Sequence, residues 1–264
     1  MEELLLLFIG GLLAGTLGGL LGIGGGVVLM PLLRFIVGLS PARAAGTCIL
    51  AVFFTTLGGS YRHYRLGHVD LRSIVPIVVS GAVATVVFSV VFLYLAAPAR
   101  EQWLDLAIGL VFSLIAARMV YEGIPGLVGK REEEGGSTKI TDGLVNQIVV
   151  GGVAGALPGL FGIGTGVILV PAFTYIFGAP IKIAMASSLT CFSFNALISS
   201  IFKLAQGFMN LEIALPVCIG TLIGANLGAI LNKRSAPYAL KLILGVIFLY
   251  VSLKFILSFF GVTM

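Results

Sequence analysis

Two short glycine clusters, GIGGG at 22–26 and GIGTG at 162–166, contain the residues best suited to bind a ligand. Each cluster interrupts a long apolar run of the kind that forms a membrane helix. A new helix can begin after such an interruption, and its first turn presents unpaired N–H groups and a partial positive charge. Because glycine lets an anion approach the backbone closely, the clusters predict an anion site built from two helix starts.

Polar side chains that could complete this site follow in the next apolar span of each half. A shift of 140 residues places Thr47 on Ser187, so both halves carry a small hydroxyl near the start of that span. Asn195 lies further along, and a buried amide there must be satisfied by a neighbouring helix or by a ligand. The residues expected to line the anion site are Gly24, Gly25, Gly26, Gly164, Thr165, Gly166, Thr47, Ser187 and Asn195.

The composition places these residues in a membrane. Of the 264 residues, 58% are hydrophobic and 10% are charged, so the chain lacks the charged surface of a soluble globule. Runs such as 74–96 contain no charged residue over the roughly 20 residues that cross a bilayer. The sequence therefore predicts an all-α, polytopic membrane protein whose surroundings are the lipid bilayer.

Several other classes of function are not supported by the residues present. The net charge of +5 comes from basic residues in short loops, which favours topology signals over nucleic-acid binding. Cys48, Cys191 and Cys218 stand apart in apolar runs, without the spacing of a metal site or a disulfide framework. Because no nucleophile with a base, metal-ligand set or nucleotide motif is visible, we expect neither an enzyme nor a cofactor or bound metal.

The chain is an internal duplication. GTLGGLLGIGGGVVLMP at 15–31 aligns with GALPGLFGIGTGVILVP at 155–171. The stretch between the halves is polar, rich in glycine and broken by a proline, as in an aqueous linker. The predicted divisions are a first transmembrane repeat (1–122), a cytoplasmic linker (123–142) and a second transmembrane repeat (143–264).

Each repeat is predicted to begin with a broken segment, followed by three plain membrane spans. A straight helix over residues 4–37 would be roughly 50 Å long, far more than the thickness of a bilayer. The glycine cluster is where the chain can leave helical geometry and fold back, which gives a re-entrant hairpin. Three crossings per repeat would invert the second repeat relative to the first. Eight full crossings, with parallel repeats, are the alternative.

Loop charges and small residues give two further expectations. With the N-terminus outside, most loop lysines and arginines fall on the inner side, in agreement with the positive-inside tendency. The basic loop residues assigned to the outer side are Arg34, Arg43, Arg100 and Lys203. Glycines at four-residue spacing are expected to serve close helix packing. They are Gly11, Gly15, Gly19, Gly151, Gly155, Gly159, Gly220, Gly224 and Gly228.

These features resemble the TauE/SafE (TSUP) family of bacterial sulfite and organosulfonate exporters, over nearly the whole chain. The resemblance rests on the doubled GxxxGxxGIGxGxxxxP motif at 15–31 and 155–171. The steps Ala44–Cys48 and Ala184–Ser188, and SYRHYRLGHVD at 60–70, add to it.

The resemblance implies a secondary transporter in the bacterial inner (cell) membrane. Its substrate would be a small anion, namely sulfite, thiosulfate or an organosulfonate, moved by alternating access; the sulfur follows from the resemblance alone. An anion channel that uses the glycine clusters as a selectivity filter is the alternative. Thr165, where the family has glycine, and Cys48, where it usually has serine, depart from the pattern. The direction of transport, the coupling ion, the preferred anion and the oligomeric state are left open.

Overall fold

Helices make up the part of the chain that the structure, a computed structural model, describes. The described residues are 2–65, 71–127, 143–231 and 237–260. Their α-helices are α1 (Glu2–Leu21), α2 (Gly26–Pro31), α3 (Pro41–Arg65), α4 (Leu71–Leu95), α5 (Glu101–Leu127), α6 (Leu144–Phe161), α7 (Gly166–Pro171), α8 (Ile181–Ala205), α9 (Leu211–Leu231) and α10 (Pro237–Phe259). A π-helical turn, Leu32–Ile36 or Ala172–Ile176, follows α2 and α7. In these residues eight helices are long and apolar enough to cross a membrane, and the predicted all-α, multi-pass class is confirmed.

The helix breaks fall at the two glycine clusters. Helix α1 ends at Leu21 and α2 begins at Gly26, while α6 ends at Phe161 and α7 begins at Gly166. Four residues separate the two helices at each break, and the two breaks have the same offset as the sequence repeat. The duplicated motif therefore encodes the same interruption twice.

Helix α5 extends further than the sequence predicted. It runs to Leu127, so residues 123–127, which had been assigned to the linker, are helical. Helix α5 continues through Pro125, whose fixed φ lies within the helical range, although proline cannot donate a backbone hydrogen bond there. Residues 128–142, the rest of the predicted linker, lie outside the described residues.

The described helices belong to two compact units. The first unit comprises Met1–Leu93 and Glu134–Leu231, and it contains both glycine clusters. The second comprises Tyr94–Glu133 and Asn232–Met264, and it contains α5 and α10.

Small residues allow α1 and α9 of the first unit to pack backbone against backbone. A Cβ at Gly11 would lie 3.0 Å from the Cα of Val217, and a Cβ at Gly19 would lie 3.0 Å from the Cα of Ala225. Because these contacts advance together along both helices, α1 and α9 are parallel. The packing role predicted for the spaced glycines is confirmed, since the others also face backbone atoms: Gly15, Gly151, Gly155, Gly159, Gly220, Gly224 and Gly228.

Helix α3 runs parallel to α9 as well. Near the start of α3, the Thr47 hydroxyl accepts a hydrogen bond from the N–H of Asn210, just before α9, at 3.1 Å. Further along, Gly58 lies beside the side chain of Asn226, near the end of α9. Helices α1 and α3 therefore run in the same direction, and the segment between them must return the chain toward the end at which α1 began.

Helix α3 is antiparallel to α8, its counterpart in the second repeat. Gly46, near the start of α3, packs against Phe208, which follows the end of α8. Ser60, near the end of α3, shares a 2.8 Å hydrogen bond with Thr190 in the first half of α8. Equivalent helices of the two repeats thus pass each other in opposite directions.

The second unit is held by apolar and ionic contacts between α5 and α10. The rings of Phe112 and Phe255 stack with centroids 5.5 Å apart. Toward the other end of α5, the carboxylate of Glu122 pairs with Arg118 at 2.6 Å and with Lys241 of α10 at 3.0 Å.

Candidate functional site

The two glycine clusters meet inside the first unit. The first corner is defined here as residues 22–26 and the second corner as residues 162–166. A Cβ at Gly26 would lie 3.0 Å from the backbone nitrogen of Gly164, which shows that the two corners are in direct contact. Every residue of both corners is buried. The starts of α2 and α7 therefore come together at one buried place.

The two corners take different backbone paths. In the first corner Gly22, Gly24 and Gly25 have φ values of 72°, 83° and 69°, the left-handed region that favours glycine. In the second corner only Gly162 has a positive φ, at 64°, and Thr165 has φ −87°. A β-branched residue would be strained at the φ of Gly25, so the threonine requires the second corner to turn differently.

Three of the predicted side chains carry buried polar atoms that have no hydrogen-bond partner. They are the hydroxyls of Thr165 and Ser187 and the amide oxygen of Asn195. These side chains are 0%, 0% and 1% exposed. An unpaired buried polar group costs about 1–3 kcal/mol, which makes such groups rare outside functional sites. The side chain of Asn195 also packs against Gly81 of α4, so it serves a helix contact too.

Thr47, in contrast, is engaged in the fold. Its hydroxyl accepts the N–H of Asn210 in the connection between α8 and α9. Ser187 is its counterpart in the sequence repeat, but the Ser187 hydroxyl has no such partner. The structure therefore gives the two hydroxyls different surroundings, and only Ser187 keeps its hydrogen-bonding capacity unused.

Sequence reasoning missed the side chains that cover the corners. Measured to the positions a Cβ would take, the Phe192 ring is 2.7 Å from Gly24 and 3.3 Å from Gly164, so it packs against both corners. Met185, two turns earlier on the same face of α8, contacts Gly22. The seven-residue spacing of these two apolar residues puts them on one helix face, but it does not say which segment that face covers.

The offset that aligns Thr47 with Ser187 also aligns Cys48 with Ser188. The Cys48 thiol contacts the carbonyl oxygen of Gly26 in the first corner at 3.6 Å. Ser188, its counterpart, is buried and its hydroxyl has no hydrogen-bond partner. Ser188 is therefore a further candidate for the anion site.

Lys203 does not occupy the outer loop in which the sequence placed it. It lies in the last turn of α8 and is 0% exposed. Its Nζ donates a hydrogen bond to the carbonyl oxygen of Gly159, near the end of α6, at 2.9 Å. The prediction was wrong because a lysine at the end of an apolar span can reach outward or inward along its stem, and sequence alone does not distinguish the two.

The family of the chain follows from a comparison of the whole sequence with family models. The model described as "Sulfite exporter TauE/SafE" matches residues 7–255. The chain belongs to the TauE/SafE family. It is accordingly a multi-pass membrane protein and a membrane transporter. The curated relatives carry the name of a membrane transporter protein, and eight described helices could cross a membrane.

Individual relatives of this TauE/SafE protein are about a quarter to a third identical to it over the aligned residues. "Probable membrane transporter protein YunE" of Bacillus subtilis is 27% identical over 258 residues, covering 93% of this chain and 94% of the relative. A "probable membrane transporter protein" of Methanocaldococcus jannaschii is 28% identical over 255 residues, covering 90% of each. "Sulfite exporter TauE/SafE family protein 1" of Arabidopsis thaliana is 35% identical over 124 residues, covering 46% of this chain and 27% of the relative. No solved structure matches the chain.

Proposed function

We propose that this TauE/SafE protein is a secondary transporter that moves sulfite, thiosulfate or organosulfonates across the cell membrane of a bacterium by alternating access. The observation that carries the proposal is the meeting of the α2 and α7 starts at two buried corners, where the Thr165 hydroxyl has no partner. Helix starts favour anions because of their free N–H groups and partial positive charge. The names of the family model and of the Arabidopsis relative support a sulfur oxyanion as substrate.

In this proposal the two repeats are inverted and each begins with a re-entrant hairpin. The antiparallel course of α3 and α8 supports the inversion, because repeats related by an axis along the membrane normal would place these helices parallel. The common direction of α1 and α3 supports the hairpin, because α2 and its π-helical turn must carry the chain back. The repeats would be residues 1–122 and 143–264, with a cytoplasmic linker at 123–142 that begins with the end of α5.

The anion would be held near the bilayer midplane by backbone and side-chain donors. N–H groups at the starts of α2 and α7 would face its oxygens, and the hydroxyls of Thr165 and Ser187 would donate to it. Asn195 would orient it from α8. The complete proposed set is Gly24, Gly25, Gly26, Gly164, Thr165, Gly166, Thr47, Ser187 and Asn195.

The burial of the corners favours a carrier over a channel. A selectivity filter is open to an aqueous path, whereas here both corners are buried and the Phe192 ring packs against both of them. For an anion to enter, the first unit must change its packing around Phe192. Alternating access would open this packing toward one side of the membrane at a time.

Uptake of labelled sulfite into proteoliposomes tests the proposal. The purified protein should give saturable uptake that excess unlabelled ethanesulfonate or thiosulfate inhibits, and the label should be recovered as sulfite, since no chemical step is involved. Protein-free liposomes and the neutral analogue dimethyl sulfone are the controls. Planar-bilayer recording gives the second measurement, because unitary currents far above carrier turnover would indicate the channel. Absence of uptake of all three anions would contradict the proposal.

A further inference from the structure

A lysine lies buried in the first unit, outside the two corners. Lys203 is 0% exposed, and its Nζ has two neighbours: the carbonyl oxygen of Gly159, at 2.9 Å, and the ring face of Phe92 on α4. No carboxylate of the described residues forms an ion pair with it. The ammonium is thus held by one carbonyl and one aromatic ring.

This environment leaves a donor of the Lys203 amine unused and gives its charged form no counterion. An ammonium has three N–H donors, and one carbonyl with one ring face leaves a donor unused. Burying an ion without a counterion costs several kcal/mol, and ionisable residues inside a membrane mark substrate pathways. Tight packing alone would be served better by an apolar side chain of the same length.

The facing turn of α4 adds an unused hydroxyl. Ser89 is 0% exposed and its Oγ has no hydrogen-bond partner. Its carbonyl oxygen accepts the Nε2 of Gln206 at 2.9 Å, which fixes this turn against the end of α8 that carries Lys203. Ser89 also lies one turn before Phe92, whose ring contacts the ammonium. An ammonium and a free hydroxyl are thus carried on two facing turns.

A pocket lies at the same end of α8. Its volume is about 390 Å³, and it is lined by Arg43, Gly207, Met209, Asn210, Leu211 and Glu212. The connection that forms its wall begins three residues after Lys203. Arg43 gives the pocket a cation, and Glu212 an acid.

The sequence repeat places a second basic residue at the equivalent position. The 140-residue offset aligns Lys203 with His63, which lies in the last turn of α3 and is 8% exposed. Both repeats therefore bury a basic side chain in the last turn of the corresponding helices, α3 and α8.

We infer that Lys203 and Ser89 form a second anion-binding site, outside the two corners, for a small oxyanion. The ammonium supplies the charge and the hydroxyl supplies a directional donor. The anion stops there on its way between the pocket at the end of α8 and the corners. This inference rests on the proposed anion transport.

Sulfite affinity of the variant Lys203→Met tests the inference. Methionine keeps the length of the side chain and removes the charge, and loss of a charged hydrogen-bond donor raises the Kd and KM for sulfite by about tenfold or more. Lys182→Met is the matched control, because Lys182 is an exposed lysine on the same helix; its KM stays at the wild-type value. Ser89→Ala raises KM by a smaller factor, about threefold, because a neutral donor is lost.

The outcomes separate this inference from the proposed function. If the wild type transports no anion, the proposed function fails first. If the wild type transports sulfite and Lys203→Met, folded by size-exclusion chromatography and thermal unfolding, keeps the wild-type Kd and KM, the second site is overturned. If Lys203→Met does not fold, Ser89→Ala decides: an unchanged KM overturns the inference and a raised KM supports it.

Discussion

Substitution of Gly26 by alanine probes the contact between the two corners. The added Cβ would lie 2.7 Å from a methyl group of Val52 and 3.0 Å from the backbone nitrogen of Gly164. The methyl group can shift, but the backbone of the second corner must move by a few tenths of an ångström. Gly26 does not have a positive φ, so alanine adds no backbone strain and the effect is steric.

The expected cost of Gly26→Ala is about 1–3 kcal/mol, the usual range for overpacking a close-packed interior. For a chain of this size that lowers the midpoint of thermal unfolding by roughly 2–4 °C per kcal/mol. Because the same movement displaces the N–H groups at the start of α7, sulfite uptake should fall by about tenfold.

Thermal unfolding in detergent and uptake in proteoliposomes measure the two effects. Gly152→Ala is the matched control: Gly152 lies within α6, and a Cβ there would meet nothing within 4 Å. Alanine at that position should leave uptake unchanged and stabilise the helix by up to about 1 kcal/mol. Wild-type stability and uptake in Gly26→Ala would refute the proposed contact between the corners.

Three further substitutions separate binding groups from structural ones. Thr165→Val removes a hydroxyl without a partner, so the KM for sulfite should rise about fivefold to tenfold with no loss of thermal stability; a lowered midpoint with an unchanged KM would contradict this. Ser187→Ala should likewise raise the KM for sulfite without loss of thermal stability. Thr47→Ala loses the 3.1 Å hydrogen bond from Asn210 and should lower the free energy of unfolding by about 1 kcal/mol. Equal thermal stability of the two variants would contradict the different roles given to Thr47 and Ser187. Glu122→Gln should lower the free energy of unfolding by about 1 kcal/mol, because Arg118 and Lys241 lose their shared carboxylate. The KM for sulfite should stay unchanged, and a raised KM would show that these ion pairs affect substrate binding.

Local sequence features predicted the helices and their interruptions. Uncharged apolar runs of membrane length specify spans, and a glycine cluster repeated at one offset specifies where two of them break. The packing role of the spaced glycines was also predictable, because glycines at four-residue spacing leave a groove along a helix face, although the partner of each helix was not. These features depend on residues near one another in the chain.

Contacts between distant segments were not predictable in the same way. The packing of Phe192 against both corners depends on which face of α8 meets them, and the burial of Lys203 depends on the direction in which its stem extends. The unequal backbones of the corners have a local cause, since Thr165 cannot easily take the φ of Gly25. The sequence showed that threonine replaces glycine at this position of the second corner, but not which backbone conformation the second corner takes instead.

A crystal structure of the protein with selenite, the heavier analogue of sulfite, tests the proposed anion site most directly through the anomalous signal of selenium. We expect an anomalous peak between the corners, with selenite oxygens about 2.7–3.2 Å from N–H groups at the starts of α2 and α7 or from the Thr165 hydroxyl. If selenite inhibits sulfite uptake, yet its peaks lie elsewhere and the corners hold none, the anion is not bound by the paired helix starts.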